Sequence, residues 1–322
     1  METTPAAAPV KAQFQQEQSS DGEFQRQEDE FRDWISAAEG AEFPAVAGRY
    51  HLYISLACPW ACRTLIVRNL KGLQKAVEVT VVDPVRDDRG WAFREGPGHS
   101  PDPVNGFRFL SEAYTASKPD FQGRVTVPVL WDREKGRIVN NSEDDICRMF
   151  HEAFAALGDP AGAADLFPAD IAEQQEELSQ YIYEKVNNGV YRAGFATSQK
   201  EYEKACREVF AALDTLEERL AGSRWLFGSR LVETDWRLFC TLVRFDAVYH
   251  GHFKCNVRRI TDYPNLEGYL RDLYQQPGIA DTVNLDHIKR HYYITHDDIN
   301  PTRIVPIGPE LHLDQPHGRG KR

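Results

Sequence analysis

Cys58 is followed directly by Pro59, between a run that alternates aromatic and aliphatic residues (50–56, YHLYISL) and an amphipathic stretch that reaches Leu70. Alternation of that kind reads as a strand. Proline suits the first helical turn, and Gly72 suits the residue just past a helix end. The thiol is therefore expected at the amino end of a helix, where free N–H groups and the helix dipole favour an anion. There it is expected to titrate below the value of about 8.5 of a free cysteine. The chemistry on offer is nucleophilic: a thiolate can attack sulfur and can also leave again. The plainer reading is a buried cysteine acting as a small hydrophobe, and the strand–Cys–Pro–helix setting favours the reactive one.

The other thiols carry less. Cys62 stands one helical turn on, in a C-x3-C pattern that admits either a resolving thiol or simple packing. Cys147, Cys206, Cys240 and Cys255 have no metal-ligand spacing with one another or with the ten histidines. His287 and His291 lie four apart, as helical zinc ligands can, but no third ligand is spaced to join them. No metal is expected.

Those residues need a scaffold, and the chain is long enough for about two domains at roughly 150 residues each. It has 322 residues, 42% hydrophobic and 27% charged, so it can build a core. Lys+Arg 38 against Asp+Glu 49 leaves a net charge of −11, a poor basis for binding a phosphate backbone, so no nucleic-acid partner is expected. No apolar run approaches the roughly 18 residues of a membrane span. With Glu2 at the start and no basic segment before an apolar one, the N-terminus does not read as a secretory signal. The cysteines then read as cytoplasmic thiols.

Residues 1–48 are expected to form an N-terminal arm, mobile over the first 30 and docked through Phe24, Phe31 and Trp34. A first domain over 49–160 should hold the strand and helix around Cys58, then a second strand over 77–82, joined by a right-handed parallel crossover. Irregular chain over 84–123 is long enough to suggest function or disorder. Two short strands follow, 125–131 and 137–140. Pro128 inside the first marks it as an edge strand or a special cis site. A helix over 142–154 opens with Ser142 three before Asp145, a capping-box variant. The second domain, 165–322, is helical, with apolar periodicity over 173–186, 201–220, 234–248 and 265–274. In the second of these, Ala205, Val209, Ala212, Leu213, Leu216 and Leu220 form one stripe. The chain ends in a turn-rich extension.

Residues 50–72 (YHLYISLACPWACRTLIVRNLKG) resemble the active-site segment of the S-glutathionyl-hydroquinone reductases, the Xi class of glutathione transferases, whose Cys-Pro-Trp-Ala motif is met as Cys58-Pro59-Trp60-Ala61. The likeness runs on through 90–93 (GWAF), 123–132 (GRVTVPVLWD), 187–196 (NNGVYRAGFA), 241–246 (TLVRFD), 252–255 (HFKC), 286–293 (DHIKRHYY) and 316–319 (PHGR). It covers nearly all of residues 24–320. It implies an α/β thioredoxin-like N-terminal domain followed by an all-helical C-terminal domain, in a homodimer. It also implies the activity, with glutathione as co-substrate and no metal. Cys58 attacks the glutathionyl sulfur of a glutathionyl-hydroquinone, the hydroquinone leaves, and a second glutathione resolves the mixed disulfide to release GSSG.

The resemblance extends to the site. Val127, before Pro128, matches the residue whose backbone pairs with the cysteinyl part of glutathione. Trp91 and Arg124 match further glutathione contacts, Arg124 as a fork for a carboxylate. On sequence alone Trp91 reads as well as packing, and Arg124 as a surface charge. Tyr191 and Tyr292 match tyrosines that line the hydroquinone pocket, where a phenol can donate to the quinol oxygen. Tyr249 and Tyr293 are weaker candidates. The family usually has Glu-Ser at the start of the helix that holds the γ-glutamyl end. Here Ser142-Glu143 stands in swapped order, followed by Asp144 and Asp145. Ser142 with helix N–H groups can take a carboxylate, and Glu143 or Asp144 the ammonium. Val232 stands where a capping Ser or Thr is usual, three before Asp235, so that cap is expected to be weak. Two other readings use the same nucleophile or cleft. One is a general glutathione-dependent thiol transferase or dehydroascorbate-type reductase, and the other a non-catalytic ligand-binding protein of the same fold.

Overall fold

The computed structural model describes residues 15–158 and 164–320. The first part of the expected arm (1–14), the expected domain boundary around 160 and the last two residues of the tail lie outside them. Strands β1 (Tyr50–Ile54), β2 (Glu78–Val81), β3 (Val129–Asp132) and β4 (Arg137–Asn140) form one sheet in the order β2-β1-β3-β4. β1 and β2 are parallel, joined through helix α1 (Pro59–Leu70). β3 runs antiparallel to β1, and β4 antiparallel to β3. Every residue of β1 is buried, because chain packs on both faces of the sheet. The 84–123 stretch is organised rather than loose. It contains α2 (Ser111–Ser117), and the Asp102 carboxylate gathers the N–H groups of Val104, Asn105 and Phe107 and the Tyr53 hydroxyl. Helix α3 (Glu143–Glu152) follows β4.

The helical part comprises α4 (Ala172–Ile182), α5 (Gly189–Gly194), α6 (Gln199–Ala221), α7 (Glu233–Arg244), α8 (Pro264–Tyr274) and α9 (Leu285–Thr295). This is the thioredoxin-like domain plus all-helical domain that the resemblance implies. The expected stripe on α6 is buried throughout. α6 is capped as S-x-x-E, with the Ser198 hydroxyl accepting from the Glu201 N–H. No helix among the described residues is long and apolar enough to cross a membrane.

Four expectations change in the structure. The strand expected from 125 begins only at Val129, since the Val127–Pro128 bond is cis and Pro128 has no N–H for a ladder. The helices expected over 173–186 and 234–248 end in wider π-helical turns, Tyr183–Asn187 and Phe245–Tyr249, a feature that re-aims side chains near functional sites. Ser142 begins α3 without a capping bond from its side chain. Its expected partner Asp145 instead accepts from Arg32 (2.5 and 2.8 Å) and Asn140 (3.0 Å). The arm docks through Phe24 and Phe31, but Trp34 is 42% exposed, and Ile35 and Phe43 are buried in its place. Backbone bonds from Asp33 to Val139 (3.1 Å) and from Asn141 to Phe31 (3.1 Å) lay the arm along the β4 edge, which covers otherwise open pairing groups. The expected weak cap at Val232 is half made. The Asp235 carboxylate accepts the Val232 N–H at 3.0 Å, and valine returns nothing.

Candidate active site

Cys58 is the residue that opens α1, and its thiol points to the carbonyl of Val127 at 3.5 Å. The two meet on the wall of a cavity of about 560 Å³ between sheet, helices and arm, a size suited to a small organic ligand. The N–H groups of Ala61 and Trp60 face the sulfur, as a helix start dictates. They do not decide its titration. Burial pushes the Cys58 thiol above its ordinary value. The Ala61 N–H, the Arg244 guanidinium and the Trp60 N–H pull the other way without overcoming it. The expectation of a depressed thiol pKa is thus reversed by burial.

The residues expected around the thiol come together with two exceptions, both weaker candidates. Trp91, Arg124, Val127, Ser142, Glu143, Tyr191 and Tyr292 all line the cavity, and Pro128 fixes the cis bond beside it. The Val127 N–H has no protein partner among the described residues, so a backbone donor stands open near the thiol. Trp91 stacks on His291 at 4.9 Å. His291 and His287 each donate a ring N–H to the carbonyls of Pro84 (2.8 Å) and Pro97 (2.7 Å). They tie α9 to the 84–123 loop. Tyr249 is the first exception and Tyr293 the second. Tyr249 is fully buried and does not line the cavity. Its hydroxyl instead bonds that of Tyr292 (3.0 Å) and reaches that of Tyr191 (3.5 Å), while Tyr191 and Tyr292 bond each other. Burial raises the pKa of all three, so they stay protonated. Tyr293 faces elsewhere, its hydroxyl on the Ala247 carbonyl. Cys62 is fully buried, bonded to the Thr282 carbonyl and outside the cavity wall.

At the α3 end the acids are drawn into an arginine network. Arg63, nearly fully buried on α1, meets Glu233 (2.5 Å), Asp144 (2.7 Å) and Glu143 (2.9 Å), and Arg237 also binds Asp144. Burial and the Asp144 charge raise Glu143 to about 7. Burial raises Asp144 too, but Arg63 and Arg237 outweigh it and hold that carboxyl well below the usual range. The network joins α1, α3 and α7 and forms the floor between the domains.

Several residues here have no role assigned from the sequence, although Arg244 falls within the 241–246 segment that carries the resemblance. Arg244, buried on α7, donates to the carbonyls of Ala57 (2.9 Å), Leu56 (2.9 Å) and Cys240 (2.8 Å). It grips the chain just before Cys58. From the arm, Arg26 lies over the Trp60 ring (4.0 Å) and the Tyr191 ring (4.9 Å) with its Nε on Asn188 (3.0 Å). Glu17 pairs with Arg124 at 2.7 Å. The arm residue Asp29 also lines the cavity.

A thiol at a helix start, an adjacent open backbone donor and a protonated phenol cluster make a site for thiol exchange on a ligand with an aromatic end. Comparison with known proteins agrees. Residues 57–153 match the model of the glutathione S-transferase N-terminal domain, and residues 199–272 that of the C-terminal domain. The chain is 51% identical to the glutathionyl-hydroquinone reductase YqjG of Escherichia coli, over 94% of each chain. It is 48% identical to the glutathionyl-hydroquinone reductase PcpF of Sphingobium chlorophenolicum, over 90% and 91%. The glutathione-bound structure of YqjG superposes with a TM-score of 0.87 at 50% identity, covering 90% of this chain and 96% of that one. The Xi-class transferase of Natrialba magadii superposes with 0.89 at 50% identity, covering 91% and 89%. The chain belongs to the Xi class of glutathione transferases, the family of the glutathionyl-hydroquinone reductases.

Proposed function

We propose that this protein reduces glutathionyl-hydroquinones with glutathione, Cys58 carrying the glutathionyl group between two half-reactions. The observation that carries the reading is one cavity shared by the Cys58 thiol and the Tyr191–Tyr292 hydroxyl pair. In the first half-reaction the Cys58 thiolate forms a bond to the glutathionyl sulfur, and the sulfur–ring carbon bond breaks. Its electron pair stays with the ring, which takes up a proton and leaves as hydroquinone. Tyr191 and Tyr292 donate to the quinol oxygen as charge builds there. In the second, glutathione attacks the mixed disulfide, releases GSSG and returns Cys58 as thiol. The ring is reduced, and two glutathionyl sulfurs are oxidised to a disulfide.

Glutathione lies with its cysteinyl part on the Val127 backbone and its γ-glutamyl carboxylate at Ser142 and the first N–H groups of α3. Trp91 lies beside it. Arg124, which Glu17 already pairs, takes its other carboxylate. The protein works as a cytoplasmic homodimer, and light scattering tests the dimer. The chemistry is tested by single-turnover mass spectrometry with a glutathionyl-hydroquinone and no free glutathione. One glutathionyl adduct on Cys58, formed as hydroquinone appears, is the expected result. If only GSSG or a small disulfide labels Cys58, the protein is a thiol transferase. If Cys58→Ala leaves ligand affinity unchanged and the wild type turns nothing over at any pH, it is a binding protein.

A further inference from the structure

Among the described residues two acids on the cavity wall, the exposed Glu28 and the half-buried Asp29, have no hydrogen bond or ion pair, and of these Asp29 is the more buried. The other acids around it are committed. Glu143 is held by Arg63, Asp144 by Arg63 and Arg237, Asp145 by Arg32 and Asn140, and Glu17 by Arg124. Of the nearby cations, Arg32 is engaged with Asp145, and Arg26 meets Asn188 through Nε and the Trp60 face, its Nη2 keeping no hydrogen-bond partner among the described residues. The electrostatic surroundings of Asp29 are thus Arg32, Arg26, Asp144 and Asp145, and burial raises its carboxyl to about 6. Holding a partly buried carboxylate without a partner is unfavourable, unless the partner arrives with a ligand.

Glutathione brings such a group. Its γ-glutamyl end carries one carboxylate and one primary ammonium. The start of α3 with Ser142 suits the carboxylate. The acids that the swapped Ser142-Glu143 order offers for the ammonium are turned into the Arg63–Arg237 network. We propose that Asp29 of the N-terminal arm receives the α-ammonium of the γ-glutamyl group, so that the arm supplies one wall of glutathione recognition. This rests on the glutathione site above and names the residue that completes it. An ammonium–carboxylate hydrogen bond of this kind is among the stronger ones.

Calorimetric titration of the full chain tests it with two probes that cannot form a disulfide: S-methylglutathione and its deamino analogue, which lacks only the ammonium. Wild type is expected to bind S-methylglutathione about tenfold more tightly than the deamino analogue. Asp29→Asn should lose about that factor for S-methylglutathione, keep its affinity for the deamino analogue, and so show that its fold is intact. Glu39→Gln, an exposed acid of the arm outside the cavity wall, should change neither. Equal affinity of wild type for the two probes, or an equal loss for both in Asp29→Asn, overturns the assignment while leaving the glutathione site standing. Binding of neither probe by wild type overturns the glutathione site itself and this assignment with it.

Discussion

The guanidinium of Arg244, at the end of α7, donates to the carbonyl of Ala57 at 2.9 Å, and Ala57 is the residue directly before the Cys58 nucleophile. A side chain of the helical domain thus sets the backbone that presents the thiol of the other domain. Its other two bonds, to Leu56 and Cys240, complete a buried fork with no carboxylate partner. Arg244→Lys keeps the charge and loses the fork. At least one carbonyl is then left buried and unpaired, which costs about 1–3 kcal/mol. The melting temperature should fall by roughly 5 °C, and single-turnover adduct formation on Cys58 should slow by about tenfold through misplacement. A lysine variant that keeps both values removes the positioning role.

The thiol itself should respond to pH in the direction burial dictates. Burial disfavours the charged form, so less of Cys58 is thiolate at neutral pH than for a free thiol. Its alkylation rate by a small uncharged reagent should rise with pH and reach its midpoint above about 8.5. A midpoint below that value would mean that the helix-end N–H groups and Arg244 win after all.

The phenol cluster separates residues that touch the substrate from one that acts behind them. Tyr191→Phe removes a cavity hydroxyl, and kcat with a glutathionyl-hydroquinone should drop by about a hundredfold, with KM for glutathione little changed. Tyr249→Phe leaves the cavity wall intact and loses only the hydroxyl that bonds Tyr292 and reaches Tyr191. Its kcat should fall by less, within about tenfold, and steady-state kinetics on the two variants reads the order. Equal losses would place Tyr249 among the groups that meet the quinol.

Much of this site was legible because its signals are local. The Cys58-Pro59 pair, the strand before it and the helix after it lie within 21 residues of chain, and Pro128 announces its own departure from the sheet. The α6 stripe reads directly as a buried face. What was not legible depends on the fold as a whole. The sign of the Cys58 shift is set by burial, which no spacing near residue 58 reveals. Trp34 looks as good an anchor as Phe31 until the arm is laid along β4, where Ile35 takes the inward place. Tyr249, the weaker candidate, looks available to the pocket until the π-helical turn at Phe245–Tyr249 turns it behind the cavity. Glu17, Arg26 and Asp29 are ordinary charges in a polar run, and the hydrogen-bond partners of Glu17 and Arg26, Arg124 and Asn188, lie more than 100 residues away.

Glu17 gives the last prediction. It is 6% exposed and sits on Arg124 at 2.7 Å, where the proposed function places a glutathione carboxylate. Two carboxylates that share one guanidinium compete, and the arm's carboxylate is always present. Glu17→Gln keeps the shape and removes the charge. It should lower KM for glutathione by about threefold, the scale of a single partly screened ion pair, and leave the rate of adduct formation from bound substrate unchanged. The gain should shrink at high salt, because the attraction between Arg124 and the incoming carboxylate is screened. If KM rises instead, Glu17 holds Arg124 in place for the ligand rather than standing in its way, and steady-state kinetics at two salt concentrations distinguishes the two.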